Sequence, residues 1–380
     1  MKTSFALVAV LAALSACGSK KSGDPGTGSG SASGATADPP PQRPSSLPQM
    51  KLEKLVLPDD PKRAEKIALG NALFFDKRLS GAGDLACYDC HKNEDGNGGH
   101  DPTATGSGGK KLPRHSPVLW NVGHWKGAFY WDGRTKTLED NVKGAWGGAN
   151  MGGAPADAKP EEVVAALDKR VADLAAIAGY KKLFEAAYPG TAPKGEHAFG
   201  AMAEYMRTMV CDDTRFDKFA AGDKKALTEQ EQRGLDLFLM PSKGNCIVCH
   251  APPFFSTAMA QEGGVYFNVG IGTRDAAGAE LPADQVDIGR MKVSKQEVDW
   301  AAFKVPSLRN VSKSAPYFHD GSVAKLEDAV KLMASGGIAN KNKIALLEDR
   351  KLTAEELEDL VAFLGALDCP SKLEPPKEMP

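Results

Sequence analysis

Cys87-Tyr88-Asp89-Cys90-His91 and Cys246-Ile247-Val248-Cys249-His250 are two copies of one pentapeptide, Cys-x-x-Cys-His, in a chain of 380 residues. The spacing suits covalent haem attachment: two thiols add across the vinyl groups of a porphyrin, and the adjacent imidazole reaches its iron. Each copy follows a helix of similar pattern, so the expectation is a chain with two c-type haems. Two other readings compete. One is a zinc site, whose four ligands would have to come from pentapeptides far apart in sequence or from further residues. The other is a pair of disulfides.

Compartment follows from the N-terminus. Met1-Lys2, an apolar run from Phe5 to Leu14 and then Leu14-Ser15-Ala16-Cys17 make a charged region, a short apolar region and a small-residue cleavage site. This is too short for a spanning helix. The tetrapeptide resembles a bacterial lipobox, which implies cleavage before Cys17 and diacylation of its thiol; an ordinary signal peptide is the alternative. Residues 1–17 are thus read as a lipoprotein signal with its acylated cysteine. Residues 18–50, rich in Gly, Ser, Pro and Lys, are read as a disordered tether. Such a coil holds the folded part roughly 30 Å from its lipid on average. Gly18 is not the Asp that commonly retains lipoproteins at the inner membrane, so the expected place is the periplasm, on the outer membrane. The lipid is the only membrane contact expected. A formal net charge of −2 with both signs interspersed gives no case for nucleic acid. Of seven cysteines, Cys211 and Cys369 remain after the lipid carrier and the four haem thiols, and an oxidising space permits them to bond.

The second half of the chain repeats the first. Asp60-Pro61 reads as a helix start leading to Gly70-Asn71-Ala72-Leu73-Phe74, and Thr228-x-x-Glu231 as a capping box leading to Gly234-Leu235-Asp236-Leu237-Phe238. Downstream, Pro117-Val118-Leu119-Trp120-Asn121-Val122 parallels Pro306-Ser307-Leu308-Arg309-Asn310-Val311, and Asp132-Gly133 parallels Asp320-Gly321. Leu138-Glu139-Asp140 likewise parallels Leu326-Glu327-Asp328. Amphipathic helices over about 196–210 and 353–367 close the two halves. Strand signals are few, Val265-Tyr266-Phe267 being the best. The expected fold is mainly α: two cytochrome-c-like domains, 51–212 and 213–380, related by a pseudo-twofold repeat. Cys211 and Cys369 hold equivalent places in it, which predicts a disulfide near the axis.

The ordered set of motifs, including Pro113-Arg114-His115-Ser116-Pro117, Tyr130-Trp131-Asp132-Gly133-Arg134 and Ala315-Pro316-Tyr317-Phe318-His319-Asp320-Gly321, resembles the bacterial dihaem cytochrome c peroxidase family with its methylamine-utilisation relatives. The resemblance runs from Leu69 to Leu367. It implies an N-terminal haem that meets peroxide and a C-terminal haem that takes in electrons. Cys87, Cys90, Cys246 and Cys249 would attach them, with His91 and His250 as proximal ligands. Met333 matches the second axial ligand of the C-terminal haem, Met in classical peroxidases and Tyr in the methylamine relatives; a His/Met pair raises the potential. Trp131 matches the indole that couples the haems. Arg134 and Asp132 either bond to propionates or fix their turn. The implied reaction is reduction of hydrogen peroxide to water with electrons from a small donor cytochrome c or cupredoxin. The alternatives are oxidation of a protein or organic substrate, as in the methylamine relatives, and non-enzymatic electron transfer or redox sensing. A homodimer is left open.

Three departures bear on activity. Gly106-Ser107-Gly108 stands where many classical members have a distal histidine between two glycines, so a five-coordinate or water-bound N-terminal haem is expected, with His100 the substitute ligand if there is one. Asn150-Met151 stands where the family has Glu-Met; an amide orients peroxide but does not relay its proton. Glu139, Asp140, Asp95 or ordered water would then take that part, or turnover is weak. Calcium is held in classical members by an Asn and backbone carbonyls. Here Ser314-Ala315-Pro316 keeps the carbonyls, but His115 replaces the Asn with a ligand unnatural for a hard cation. His124 and His197 read as structural or solvated.

Overall fold

In the computed structural model, which describes residues 50–275 and 277–380, the chain is mainly helical with few short strands. Cys17 and most of the tether lie outside the described residues. The helices of six or more residues are α1 (Arg63–Phe74), α2 (Leu138–Gly147), α3 (Pro160–Ala175), α4 (Ala178–Ala187), α5 (Gly195–Arg207), α6 (Arg215–Ala220), α7 (Glu229–Leu239), α8 (Leu326–Ala334) and α9 (Ala354–Gly365). One sheet pairs β1 (Tyr266–Phe267) antiparallel with β2 (Phe303–Lys304). Among the described residues no helix is long and apolar enough to cross a membrane.

The repeat is physical as well as textual. In the first half α1 crosses α5 so closely that a Cβ on Gly70 would lie 2.0 Å from the Ala201 carbonyl oxygen; in the second, a Cβ on Gly234 of α7 would lie 1.9 Å from that of Asp359 on α9. Only glycine permits either crossing. Asn121 and Asn310 both adopt the left-handed conformation, with φ of 61° and 66°. Each then clasps the strand-like exit of its closing helix. The Cys211 amide donates to Asn121 Oδ1 at 2.8 Å, and the Cys369 amide to Asn310 Oδ1 at 2.9 Å. These clasps bring the two cysteines together, and they are disulfide-bonded.

Two apolar cores result. The first gathers Leu69, Leu73, Trp146, Leu167 and Phe184; the second is an edge-to-face cluster of Phe216, Phe238, Phe255 and Phe363. Full burial of each such side chain stabilises by about 1.5–3 kcal/mol. The chain after Cys369 returns to the first core: Leu373 is buried there and exchanges hydrogen bonds with the Asn93 side chain, both at 2.8 Å.

Local starts differ from expectation in one place. Asp60 does not cap α1, which begins at Arg63. Its carboxylate instead accepts from the Lys62 amide at 2.9 Å and from Lys66 Nζ at 2.7 Å, so Asp60-Pro61 forms a turn before the helix. The capping box at Thr228 and Glu231 is present on α7. Helices α3 and α4 were not foreseen. They bury Leu167, Val171 and Leu174 of α3 with Tyr180 and Phe184 of α4.

Candidate haem sites

Cys87–Cys90 form one helical turn, with the Ala86 amide donating to Asp89 Oδ2 at 2.8 Å; Cys246–Val248 form a 3-10 turn. Each histidine that follows is fixed by one device. His91 Nδ1 lies 3.2 Å from the Asn97 carbonyl and His250 Nδ1 lies 3.0 Å from that of Phe255. A carbonyl only accepts, so Nδ1 carries the proton and Nε2 keeps the lone pair that a metal takes. Burial pushes the His91 imidazole down to about 4 and depresses that of His250, so both are neutral at pH 7. Cys87, Cys90, Cys246 and Cys249 are unpaired, and the described residues contain no cluster of three or more metal-ligating side chains.

Beside the first pentapeptide is a mainly apolar cavity of about 570 Å³, within the roughly 300–1,000 Å³ usual for cofactor pockets. It is lined by Cys87, His91, Trp131, Arg134 and Asn150, residues from three separate stretches of sequence. Cys90 lines an adjoining cavity of about 300 Å³. The buried Trp120 Nε1 also borders the main cavity and has no hydrogen-bond partner. An apolar slot with two thiols, a correctly polarised imidazole and an unused N–H fits a covalently held haem.

Trp131 sits where the halves meet. Its Nε1 donates to the His115 carbonyl at 2.8 Å, its own carbonyl accepts from the Lys304 amide at 2.8 Å, and its ring meets His319 edge-on at 6.4 Å. The His319 ring stacks on Phe303 at 3.5 Å. In the repeat register Trp131 and His319 are equivalents, so the junction is built from the same turn used twice. Arg134 fixes its own turn: Nη1 lies 3.0 Å from Asp132 Oδ1, and the guanidinium stacks 3.4 Å above the Tyr130 ring. Burial alone would raise the Asp132 carboxyl, but the Arg134 and Arg114 guanidiniums hold it below the usual range, so it stays ionised.

The departures have structural outcomes. Ser107 Oγ donates to Asp84 Oδ1 at 2.7 Å and accepts from the Ala82 amide at 3.0 Å, and the residue does not line the main cavity. A Cβ on Gly106 would stand 2.3 Å from the Ala149 carbonyl oxygen, so this loop is pressed against the turn that carries Asn150. The His100 side chain is 82% exposed, pairs with Asp95 at 3.1 Å and is likewise off the cavity wall. Among the alternative acids, Glu139 pairs with Arg207 at 2.7 Å, Asp140 is bound by Thr137 at 2.8 Å and Asp95 holds His100; none reaches the cavity. The one carboxylate on its wall is Asp132. His115 is buried with Nδ1 2.9 Å from the Asp101 carbonyl, and burial lowers its pKa. A neutral ring filling that place does not fit calcium. His197 accepts from the Lys194 amide at 3.2 Å and stacks on Tyr188, a structural role. His124 packs against Phe254, and its buried Nε2 has no partner.

Met333 is half-buried near the end of α8. Leu326 and Ala329 of that helix join the second core, whereas Met333 is not packed into it. Counting from Leu138 and Leu326, the register sets Ala145 of α2 opposite Met333, and Ala145 lines the cavity of His91. Sequence reasoning passed over Ala145, Trp120 and Lys304, all on the cavity wall. The register of the repeat was signal enough for the first of these.

Residues 64–225 match the model of the family "Di-haem cytochrome c peroxidase". The cytochrome-c peroxidase IdrP1 of Pseudomonas sp. (strain SCT) is 33% identical over 89% of this chain and 88% of its own length. The methylamine utilization protein MauG of Methylorubrum extorquens is 32% identical over 86% of this chain and 82% of its own. Among solved structures, a MauG-like protein associated with microbial copper homeostasis superposes with a TM-score of 0.71 at 31% identity, covering 89% of this chain and 95% of that one. Likeness of this extent, over a chain that presents two haem pentapeptides in a duplicated frame, places the protein in the di-haem cytochrome c peroxidase family, which includes the MauG relatives.

Proposed function

We propose that the chain is a peroxidase with two unequal haems, reducing hydrogen peroxide to two waters with two electrons and two protons. The observation that carries this is the pair Met333 and Ala145. Methionine offers sulfur to the iron held at His250; alanine at the equivalent place offers nothing to the iron held at His91. Bound haem would supply the iron that takes up electrons and, at the open face, peroxide. Cys87, Cys90 and His91 would hold one haem, and Cys246, Cys249, His250 and Met333 the other, in domains divided near residues 212 and 213. Electrons from a small cytochrome c or cupredoxin enter on the Met333 side and cross the junction at Trp131.

At the open face Asn150 orients the oxidant through its amide. It moves no proton. Asp132, ionised and gripped by two arginines, supplies none either. Proton delivery falls to ordered water, which makes this a slow peroxidase. Export, with Cys17 acylated and residues 18–50 as tether on the outer membrane, completes the reading.

A second reading rests on the MauG-like structure and relative: oxidation of a protein or organic substrate through Trp131. Peroxide consumption with a reduced donor cytochrome separates them when wild type is compared with Asn150→Glu. The first reading expects slow wild-type turnover raised by the substitution, as general acid–base help is worth about 10²–10⁴-fold. No consumption by either protein would leave electron transfer or sensing as the function.

A further inference from the structure

Lys304 belongs to the second half of the chain, yet it lines the first half's cavity. It is 8% exposed, and its Nζ lies 3.4 Å from the centre of the Trp125 ring. Among the described residues no carboxylate is within ion-pair distance of it. A buried ammonium with only an aromatic face for company is costly unless an anion joins it. Burial accordingly pushes it down to about 7.

The surrounding charges do not supply that anion. Asp132 is taken by Arg114 at 2.8 Å and Arg134 at 3.0 Å; Asp287 is taken by Arg114 at 2.6 Å and Lys292 at 3.3 Å. Arg114, Arg134, Lys292 and Lys304 all border the cavity, against these two carboxylates. Two positive charges are therefore left over. Trp120, 3% exposed with its Nε1 unpaired, adds a neutral donor to the same wall. The second half makes the contrast plain. Its residue equivalent to Trp120 is Arg309, fully buried and paired with Asp217 at 2.7 Å. Trp120 has no such partner.

We infer that Lys304 and Trp120 are the propionate-binding residues of the haem held at His91, Lys304 as ion-pair partner and Trp120 Nε1 as hydrogen-bond donor. A haem carries two carboxylates, matching the two uncompensated cations, and its arrival would hold Lys304 in the charged form. Because Lys304 comes from β2, filling the first site also fastens the second half to it. The inference rests on haem occupying this cavity and not on peroxide being the substrate.

The test uses holoprotein matured with both haems, their attachment checked by intact mass. Resonance Raman spectra report hydrogen bonding in the propionate bending modes, and a redox titration reports each haem separately. Lys304→Met should shift a propionate mode of the His91 haem. It should also lower that haem's midpoint potential, by a change of about tenfold in the oxidised-to-reduced ratio for one lost charge in a partly desolvated site. The other haem should not change. Trp120→Phe should shift a propionate mode with little effect on potential, and Lys304→Arg should keep the wild-type potential. If Lys304→Met does not mature, Lys304→Gln replaces it with the same expectations. Wild-type propionate modes and potential in Lys304→Met or Lys304→Gln would overturn the Lys304 assignment. Wild-type modes in Trp120→Phe would overturn that of Trp120. A mass lacking the first haem in wild type would instead defeat the haem reading of the cavity.

Discussion

The two halves of this protein share a frame and differ in what they do with it. Both cross their opening and closing helices over a glycine, Gly70 on Ala201 and Gly234 on Asp359, and both clasp the chain exit with a left-handed asparagine. Both orient the histidine of their pentapeptide by a carbonyl on Nδ1. The divergence lies at three matched positions. Met333 answers Ala145, Arg309 answers Trp120, and the compact loop after α8 answers the helical pair α3 and α4. In the second half the first two substitutions provide a thioether, which we propose as the iron ligand, and a closed ion pair. In the first they leave a cavity wall of alanine and an unused N–H. Duplication thus conserves what attaches a cofactor and frees what surrounds it.

That comparison can be broken by exchanging its terms. Ala145→Met would give the first site the ligand it lacks. Peroxide turnover should fall roughly 10³-fold, about 4 kcal/mol in the barrier, with the ferric high-spin signal lost from the holoprotein; unchanged turnover would separate the register from access. Removing the buried guanidinium of Arg309 leaves Asp217 charged without its cation, held only by the Thr214 amide and hydroxyl, for which about 3–5 kcal/mol is expected. Urea unfolding of Arg309→Ala should show it, while Trp120→Phe, its counterpart, should unfold within about 1 kcal/mol of wild type because no charge is stranded. Reducing the bond between Cys211 and Cys369, or replacing both by Ser, should cost roughly 2–5 kcal/mol for so long a closed loop. Both cores should feel that loss together, since the tail after Cys369 packs on the first. Near-wild-type stability would show that the clasping asparagines suffice.

Acid probes the junction between the halves. Burial would raise Asp132, Asp287 and Asp217, but their arginine partners prevail and hold all three carboxyls below the usual range. A depressed carboxyl contributes stability that is present above its unfolded value, about 3.9 for Asp, and is lost as pH falls through the folded value. Stability should therefore be flat with respect to these groups from neutrality to about pH 5 and decline below about 4. A decline that begins near pH 6.5 and continues toward 4 would come from the buried neutral histidines, His91 among them, whose folded values lie below the unfolded one of about 6.5. Smallest of all, Thr228→Ala and Thr353→Ala remove the N-caps of α7 and α9 and should each cost about 1 kcal/mol.

Much of the frame could be read from the sequence because its devices are local and repeated. A capping box, a glycine before an apolar-aromatic pair and two pentapeptides carry their meaning in a few residues each. The amphipathic spacing of Val163, Leu167, Val171 and Leu174 after Pro160-Glu161-Glu162 is a local signal for α3 as well. Trp131, Arg134 and Asn150 could be named, though not that one cavity gathers them with His91. Lys304 was illegible for a different reason. Its strand belongs to one half and its side chain lines a cavity beside the other, and no local pattern records a contact such as that with Trp125, about 180 residues earlier. The substitutes proposed for the missing acid failed on the same ground: Glu139, Asp140 and Asp95 are near Asn150 or His91 in sequence and committed elsewhere in space.

The two irons are proposed to be unequal, one open and one closed. Electron paramagnetic resonance of the fully oxidised holoprotein reads the difference directly, without donor, substrate or substitution. One high-spin ferric signal from the haem at His91 and one low-spin ferric signal from the haem held by His250 and Met333 is the predicted result. Two low-spin signals of equal weight would contradict it, because both faces would then be closed and Ala145 would mark no opening.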